Sequence, residues 1–257
     1  MFGLKHLRRR RLMQQPLPGE WLSIIQQNVP YYHRLPGNKQ KRLQGLIQIF
    51  LDEKLFEGCG GLQLTDEIKV TVAAQACILL LGSSDYTVYP GLRSILIYPT
   101  EYFAPVKRYR EGGVIEEGNQ SRLGESWSRG HIVLAWDAVK HGASDIRDGS
   151  NLVFHEFAHQ LDYEYGATEQ AENPDLHSSY LAWARVLSAE YRRHIRNLER
   201  NHQTLMDAYG AANLAEFFAV ATEYFFERPG ELKNKHPELY EQLVLFYKQN
   251  PAEYRKP

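Results

Sequence analysis

His155-Glu156-Phe157-Ala158-His159 is the stretch on which the reading of this chain turns. On a helix, histidines four residues apart lie about 40° apart around the axis and one turn apart along it, so both imidazoles reach a single ion. Glu156 then stands beside that ion. This pattern is expected where two histidines hold zinc and a carboxylate acts on a metal-bound water, and it has that meaning only on a helix. The flanks predict one. Leu152, Phe154, Phe157, Ala158 and Leu161 give apolar residues at steps of three and four, Gly149-Ser150 offers a start with a serine cap, and Gly166 stands where the helix ends.

The rest of the chain is ordinary globular material. It has 257 residues, 43% of them hydrophobic and 24% charged, enough for a substantial core. A net charge of −1 lacks the basic excess of a dedicated nucleic-acid binder, so no nucleic-acid partner is expected. Cys59 and Cys77 are too few for a disulfide framework and point to a reducing cytoplasm. Residues 1–15, with Lys5 and the run Arg8-Arg9-Arg10-Arg11, read as a basic, poorly ordered arm. No apolar stretch follows, as a signal peptide would require.

Residues 16–85 read as a helical N-terminal subdomain. Trp21 to Val29 makes a short helix ending at Pro30. A stronger helix follows, capped by Asn38 and ended by Gly58-Cys59-Gly60-Gly61. A third starts at Thr65-Asp66-Glu67, and its run Val70 to Leu81 is apolar nearly all round, hence buried, yet too short to cross a bilayer. No stable membrane insertion is expected. Residues 86–257 read as the catalytic domain. Ser94 to Tyr98 and His131 to Trp136 are strands, Glu111 to Gly118 makes a turn and a brief strand, and the second strand offers an edge for an extended peptide. A long amphipathic helix through Tyr180, Trp183, Leu187 and Ile195 serves as scaffold. A last functional helix begins at Asn213.

Spacing and chemistry supply the third metal ligand. One zinc arrangement needs a glycine seven residues after the first histidine and a ligand at ten. Asp162 and Tyr165 stand there, so it fails. The other large class takes a glutamate from a later helix. Glu216 and Glu223, seven apart, share a face that periodicity cannot resolve. Glu216 is preferred because it lies in the first turn, where the helix dipole favours a carboxylate, and because Tyr209 precedes it by seven residues at a loop position facing the metal. Glu223 is then a hydrogen-bond partner. Asp162 either orients an imidazole or caps the helix.

These residues carry a family resemblance. His155-Glu156-Phe157-Ala158-His159-Gln160-Leu161-Asp162, Asp207-Ala208-Tyr209-Gly210-Ala211, and Ala215-Glu216-Phe217-Phe218-Ala219-Val220 with Glu223-Tyr224-Phe225-Phe226 resemble the Mlc titration factor A family of bacterial glucose-regulated zinc peptidases. Leu96-Ile97-Tyr98-Pro99 and Ser126-Trp127 before Gly130 to Trp136 extend the resemblance over roughly residues 85–250. It implies a gluzincin akin to the catalytic domain of anthrax lethal factor, an α+β, zincin-like fold that is predominantly helical with a small mixed sheet. It implies one zinc per chain on His155, His159 and Glu216, with Glu156 as catalytic base and Tyr209 near the reaction centre. It also implies a cytosolic enzyme with aminopeptidase activity on peptide substrates, able to bind a transcriptional repressor of the Mlc type.

Two other functions stay open at this stage. One is a regulatory protein that uses the fold to sequester the repressor, with hydrolysis secondary. A purely structural zinc site would need a fourth protein ligand, for which His177 and His194 are the candidates, though neither has matching spacing.

Overall fold

The computed structural model describes residues 2–109, 115–122, 124–127, 130–168 and 178–254. At its centre is the apolar helix α5 (Asp66–Ile78), where Thr65 Oγ1 accepts from the Ile68 amide as an N-cap. Every residue from Val70 to Ile78 is buried, as its all-round apolarity predicts. Around it pack α2 (Gly19–Asn28), α4 (Gly37–Glu53) and the helix bearing the two histidines, α7 (Leu152–Tyr165). The short α3 (Tyr31–Arg34) joins α2 to α4.

Residues Phe2–Gln14, read as a solvated arm, form a helix, α1. The reason is ionic and steric. Arg9 makes a two-pronged pair with Glu53 of α4, at 2.6 and 2.8 Å, and Lys5 reaches Glu53 while Arg8 reaches Asp52. Met13 lies so close to Gly45 of α4 that a Cβ there would meet its Sδ at 2.6 Å. Two boundaries of α4 also differ from expectation. It starts at Gly37 behind Pro36, with no side-chain cap, and Asn38 Oδ1 accepts only from the next amide, that of Lys39. It stops at Glu53 because Leu55–Gly58 leaves it to form a strand, β1.

β1 runs parallel to β2 (Ser94–Tyr98), and β2 parallel to β6 (His131–Ala135). β5 (Gly124–Trp127) closes the four-stranded sheet antiparallel to β6. The register sets Ile95 opposite Ile132 and Ile97 opposite Leu134, all fully buried. β6 therefore has neighbours on both sides and is not the edge expected of it; the edge beside it is β5. A separate two-stranded antiparallel sheet, β3 (Tyr102–Tyr109) and β4 (Ile115–Arg122), pairs Tyr102 with Arg122. The turn expected at Glu111 to Val114 lies outside the described residues, apart from the β4 strand that follows it.

Trp136 ends the sheet segment by starting α6 (Trp136–Ser144). α8 (Ser178–Glu199) is the long scaffold helix, with Trp183, Val186 and Leu187 buried. After a single 3-10 turn (Ala208–Ala211) come α9 (Leu214–Glu227), α10 (Pro229–Lys235) and α11 (Pro237–Tyr247), the last two each opening on a proline. Phe225 of α9 packs on Tyr240 and Tyr247 of α11 at 5.2 and 5.6 Å between rings. One continuous core runs from Ile25 to Tyr254, and Phe50 of α4 meets Phe157 of α7 at 5.8 Å within it. The result is α+β, predominantly helical with a small mixed sheet, and zincin-like.

Candidate metal centre

α7 begins where Asn151 Oδ1 accepts from the Phe154 amide at 3.0 Å. The cap is this asparagine rather than the neighbouring serine, whose side chain is exposed. It ends at Gly166, whose φ of 64° is the left-handed geometry that a glycine accepts without strain. α9 begins at Asn213, whose side chain accepts from the Glu216 amide at 2.9 Å, as the sequence predicts. The two helices pack together and bring three lone-pair atoms to one point.

His155 Nε2 lies 2.9 Å from Glu216 Oε2, His159 Nε2 lies 3.2 Å from the same oxygen, and the two Nε2 atoms are 3.2 Å apart. These ligand atoms all fall within 4.8 Å of one another, the single such His, Cys, Asp or Glu group among the described residues. The arrangement fits a metal ion on chemical grounds. His155 Nδ1 donates to Glu223 Oε1 at 2.8 Å, which leaves the lone pair on Nε2 facing a carboxylate oxygen. Two acceptors this close repel unless a cation or a proton lies between them. Burial lowers the His155 pKa, but the hydrogen bonds to Glu216 and Glu223 outweigh burial and push it up to about 10. Glu216 answers in the opposite sense. Burial pushes its carboxyl up, and the hydrogen bonds from His155 and His159 bring it down to about 2. Two imidazole nitrogens and a carboxylate form a donor set suited to zinc with a position left open.

Glu156 lies in the same turn of α7 as the histidines and is only 5% exposed. Tyr209, on the 3-10 turn, has its ring 5.9 Å from that of His155 and is 57% exposed. Glu223 bridges two parts of the helix start, accepting from His155 Nδ1 and, at 2.6 Å, from the Asn151 amide.

Two of the polar candidates stand elsewhere. Asp162 accepts from the amide and the hydroxyl of Thr168, so it ties down the turn after α7 and does not reach an imidazole. His194 is buried with Nε2 3.0 Å from the Asp207 carbonyl, and it is no fourth ligand. His177 lies outside the described residues.

Several supporting residues escape a reading by spacing. Glu227, one turn beyond Glu223, accepts from the Gly149 amide and Asn151 Nδ2, both at 3.1 Å. Its nearest sequence signal is only the four-residue step from Glu223. At the other end of α7, Glu164 Oε1 accepts from Gln160 Nε2 at 2.7 Å and from the Gly91 amide at 2.8 Å. Buried Lys54 donates to the carbonyls of Tyr89 and Leu92 in the same loop, and burial brings its pKa down to about 8.

A family model described as glucose-regulated metallo-peptidase M90 matches residues 4–248. The chain is 40% identical over 243 residues to the uncharacterized protein slr2042 of Synechocystis sp., covering 93% of this chain and 87% of that one. It is 29% identical to Mlc titration factor A of Yersinia enterocolitica, covering 96% of this chain and 92% of the relative. With Mlc titration factor A of Serratia proteamaculans it shares 32% identity, over 87% of this chain and 85% of that protein.

Proposed function

The chain belongs to the glucose-regulated metallo-peptidase M90 family, and on that premise we propose that it is a zinc-dependent peptidase of aminopeptidase-like activity using His155, His159 and Glu216 as metal ligands. The convergence of those three donor atoms carries the reading. Zinc held there would supply Lewis acidity, lowering the pKa of a water and polarising the scissile carbonyl.

The chain's own residues do the rest. Glu156 accepts the proton of the attacking water and passes it to the leaving amine as the C–N bond breaks. The Tyr209 hydroxyl donates a hydrogen bond to the oxygen that gains negative charge, a contribution typically worth about 10²- to 10³-fold in rate. Glu223 holds His155 by Nδ1 so that Nε2 faces inward. β5, which packs near α7 and among the described residues has β6 as its one sheet neighbour, would give an extended peptide a main-chain edge to pair with. A cytoplasmic location is supported by two free cysteines and by a chain in which, among the described residues, no helix is long and apolar enough to cross a membrane.

The test is Glu156→Gln assayed on a panel of aminoacyl and amino-blocked peptides, with metal content measured alongside. Hydrolysis should fall by at least about 10²-fold while stoichiometric metal is retained. Undiminished hydrolysis would refute the mechanism, and cleavage of blocked peptides alone would refute the aminopeptidase preference. A second reading rests on the relatives named Mlc titration factor A: sequestration of a repressor of that type, with hydrolysis secondary. Stoichiometric zinc and repressor binding with no turnover on any peptide would favour it.

A further inference from the structure

His194 lies outside the metal centre yet is 3% exposed, and the scaffold helix α8 aims it at the turn that carries Tyr209. Its Nε2 lies 3.0 Å from the Asp207 carbonyl. A carbonyl only accepts, so Nε2 carries the proton and donates it. The same carbonyl accepts from the Gly210 amide at 3.2 Å, and Asp207 Oδ1 accepts from the Tyr209 amide at 2.7 Å. Three hydrogen bonds on one aspartate therefore set the backbone on both sides of Tyr209.

A second side chain of α8 grips the far end of the turn. Tyr191, one helical turn before His194, donates its hydroxyl to the Ala211 carbonyl at 3.3 Å. Both rings also pack on Phe217, each at 5.7 Å between centroids, and Phe217 is the residue after Glu216. The turn itself lies flat on α9: a Cβ on Gly210 would come within 3.5 Å of Phe217 Cα and 3.6 Å of His194 Nε2. α8 thus holds the turn and the ligand-bearing helix together through two side chains that are not themselves among the three metal ligands.

We propose that His194 is a positioning residue for Tyr209: its buried imidazole, donating to the Asp207 carbonyl, fixes the turn that holds the Tyr209 phenol beside the metal-binding histidines. Loss of that bond frees the turn without removing any ligand. Burial lowers the pKa of His194. The kinetic part of the proposal rests on the catalytic role given to Tyr209 above; the structural part does not.

The experiment uses the full chain with His194→Phe, which keeps an aromatic ring against Phe217 but has no donor, and His194→Gln, whose side-chain amide restores one. The first readout is hydrogen exchange of the segment around residues 205–213 in metal-stripped protein. His194→Phe should exchange there roughly tenfold faster than wild type, with the core of α9 unchanged, and His194→Gln should return it toward wild type. The second is steady-state kinetics on zinc-loaded protein. His194→Phe should lower kcat by about 10- to 100-fold with KM and zinc content near wild type, since a misplacement of about 1 Å can cost 10²-fold. Combined with Tyr209→Phe, it should cost nothing further.

Unchanged exchange in His194→Phe overturns the proposal, whatever the kinetics. So does a loss that multiplies with that of Tyr209→Phe, or one that His194→Gln fails to rescue. If Tyr209→Phe leaves kcat intact, the catalytic role of Tyr209 falls, and the exchange experiment still decides whether His194 holds the turn.

Discussion

Glu227 is a carboxyl group in a place that disfavours its charge. It is 3% exposed, and burial, with Asp148 and Glu223 nearby, raises its pKa to about 9 against the hydrogen bond from Asn151, which lowers it. An unfolded carboxyl titrates near 4.5. Between those values the folded chain binds one more proton than the unfolded chain, so this group makes stability fall as pH rises, by up to about 1.4 kcal/mol per pH unit. Its contribution is complete below the unfolded pKa and is lost as pH rises toward the folded one. Glu227→Gln holds the position neutral at every pH. Urea unfolding between pH 5 and 8 should show the variant gaining stability over wild type as pH rises. A difference that does not change with pH would mean that Glu227 is ionised in the fold. At this scale the legible residues were those tied by short spacing. His155 and His159 are four apart, Tyr209 and Glu216 seven, and each pair follows from helical or turn geometry. Asn151 and Glu227 meet across 76 positions with no periodicity to announce it.

α7 is fixed at both ends, and its start is the more heavily built. Asn151 makes four hydrogen bonds there through three groups: its Oδ1 accepts from Phe154, its Nδ2 donates to the Gly142 carbonyl and to Glu227, and its amide donates to Glu223. Asn151→Ala removes the cap, worth about 1 kcal/mol, and takes a donor from two buried acceptors, each costing about 1 kcal/mol or more. Thermal unfolding should therefore drop by roughly 5–10 °C for a chain of this size. Ser150→Ala, at the exposed position the sequence proposed as cap, should stay within about 0.5 kcal/mol. Equal losses from the two variants would show that the cap geometry is wrong. The error is instructive: serine and asparagine cap about equally well, and only the extended backbone of Asn151 decides between them. β1 was hidden for a related reason. Leu55-Phe56-Glu57-Gly58 is a four-residue edge strand with mostly exposed side chains, so no alternation marks it; parallel pairing with β2, some 39 positions away, makes it a strand.

The fold class could be read from the whole chain because long amphipathic segments with caps dominate it, while strand order depends on partners that no local pattern names. The same non-local character makes a bound metal a matter of global stability. His155 and Glu216 are separated by 61 residues and come together only when α7 packs on α9, so an ion bridging them binds the folded chain and not the unfolded one. Binding then stabilises by RT ln(1 + [M]/Kd), about 2.7 kcal/mol at a free metal concentration 100 times Kd. Metal-stripped protein should therefore unfold several degrees below the zinc-loaded form, and the gap should widen with added zinc. Glu156→Gln should keep that zinc-dependent gap, because it leaves the three ligands in place. His159→Ala should lose most of it. A gap of wild-type size in His159→Ala would locate the stabilising ion somewhere other than between α7 and α9, and the ligand assignment would fall with it.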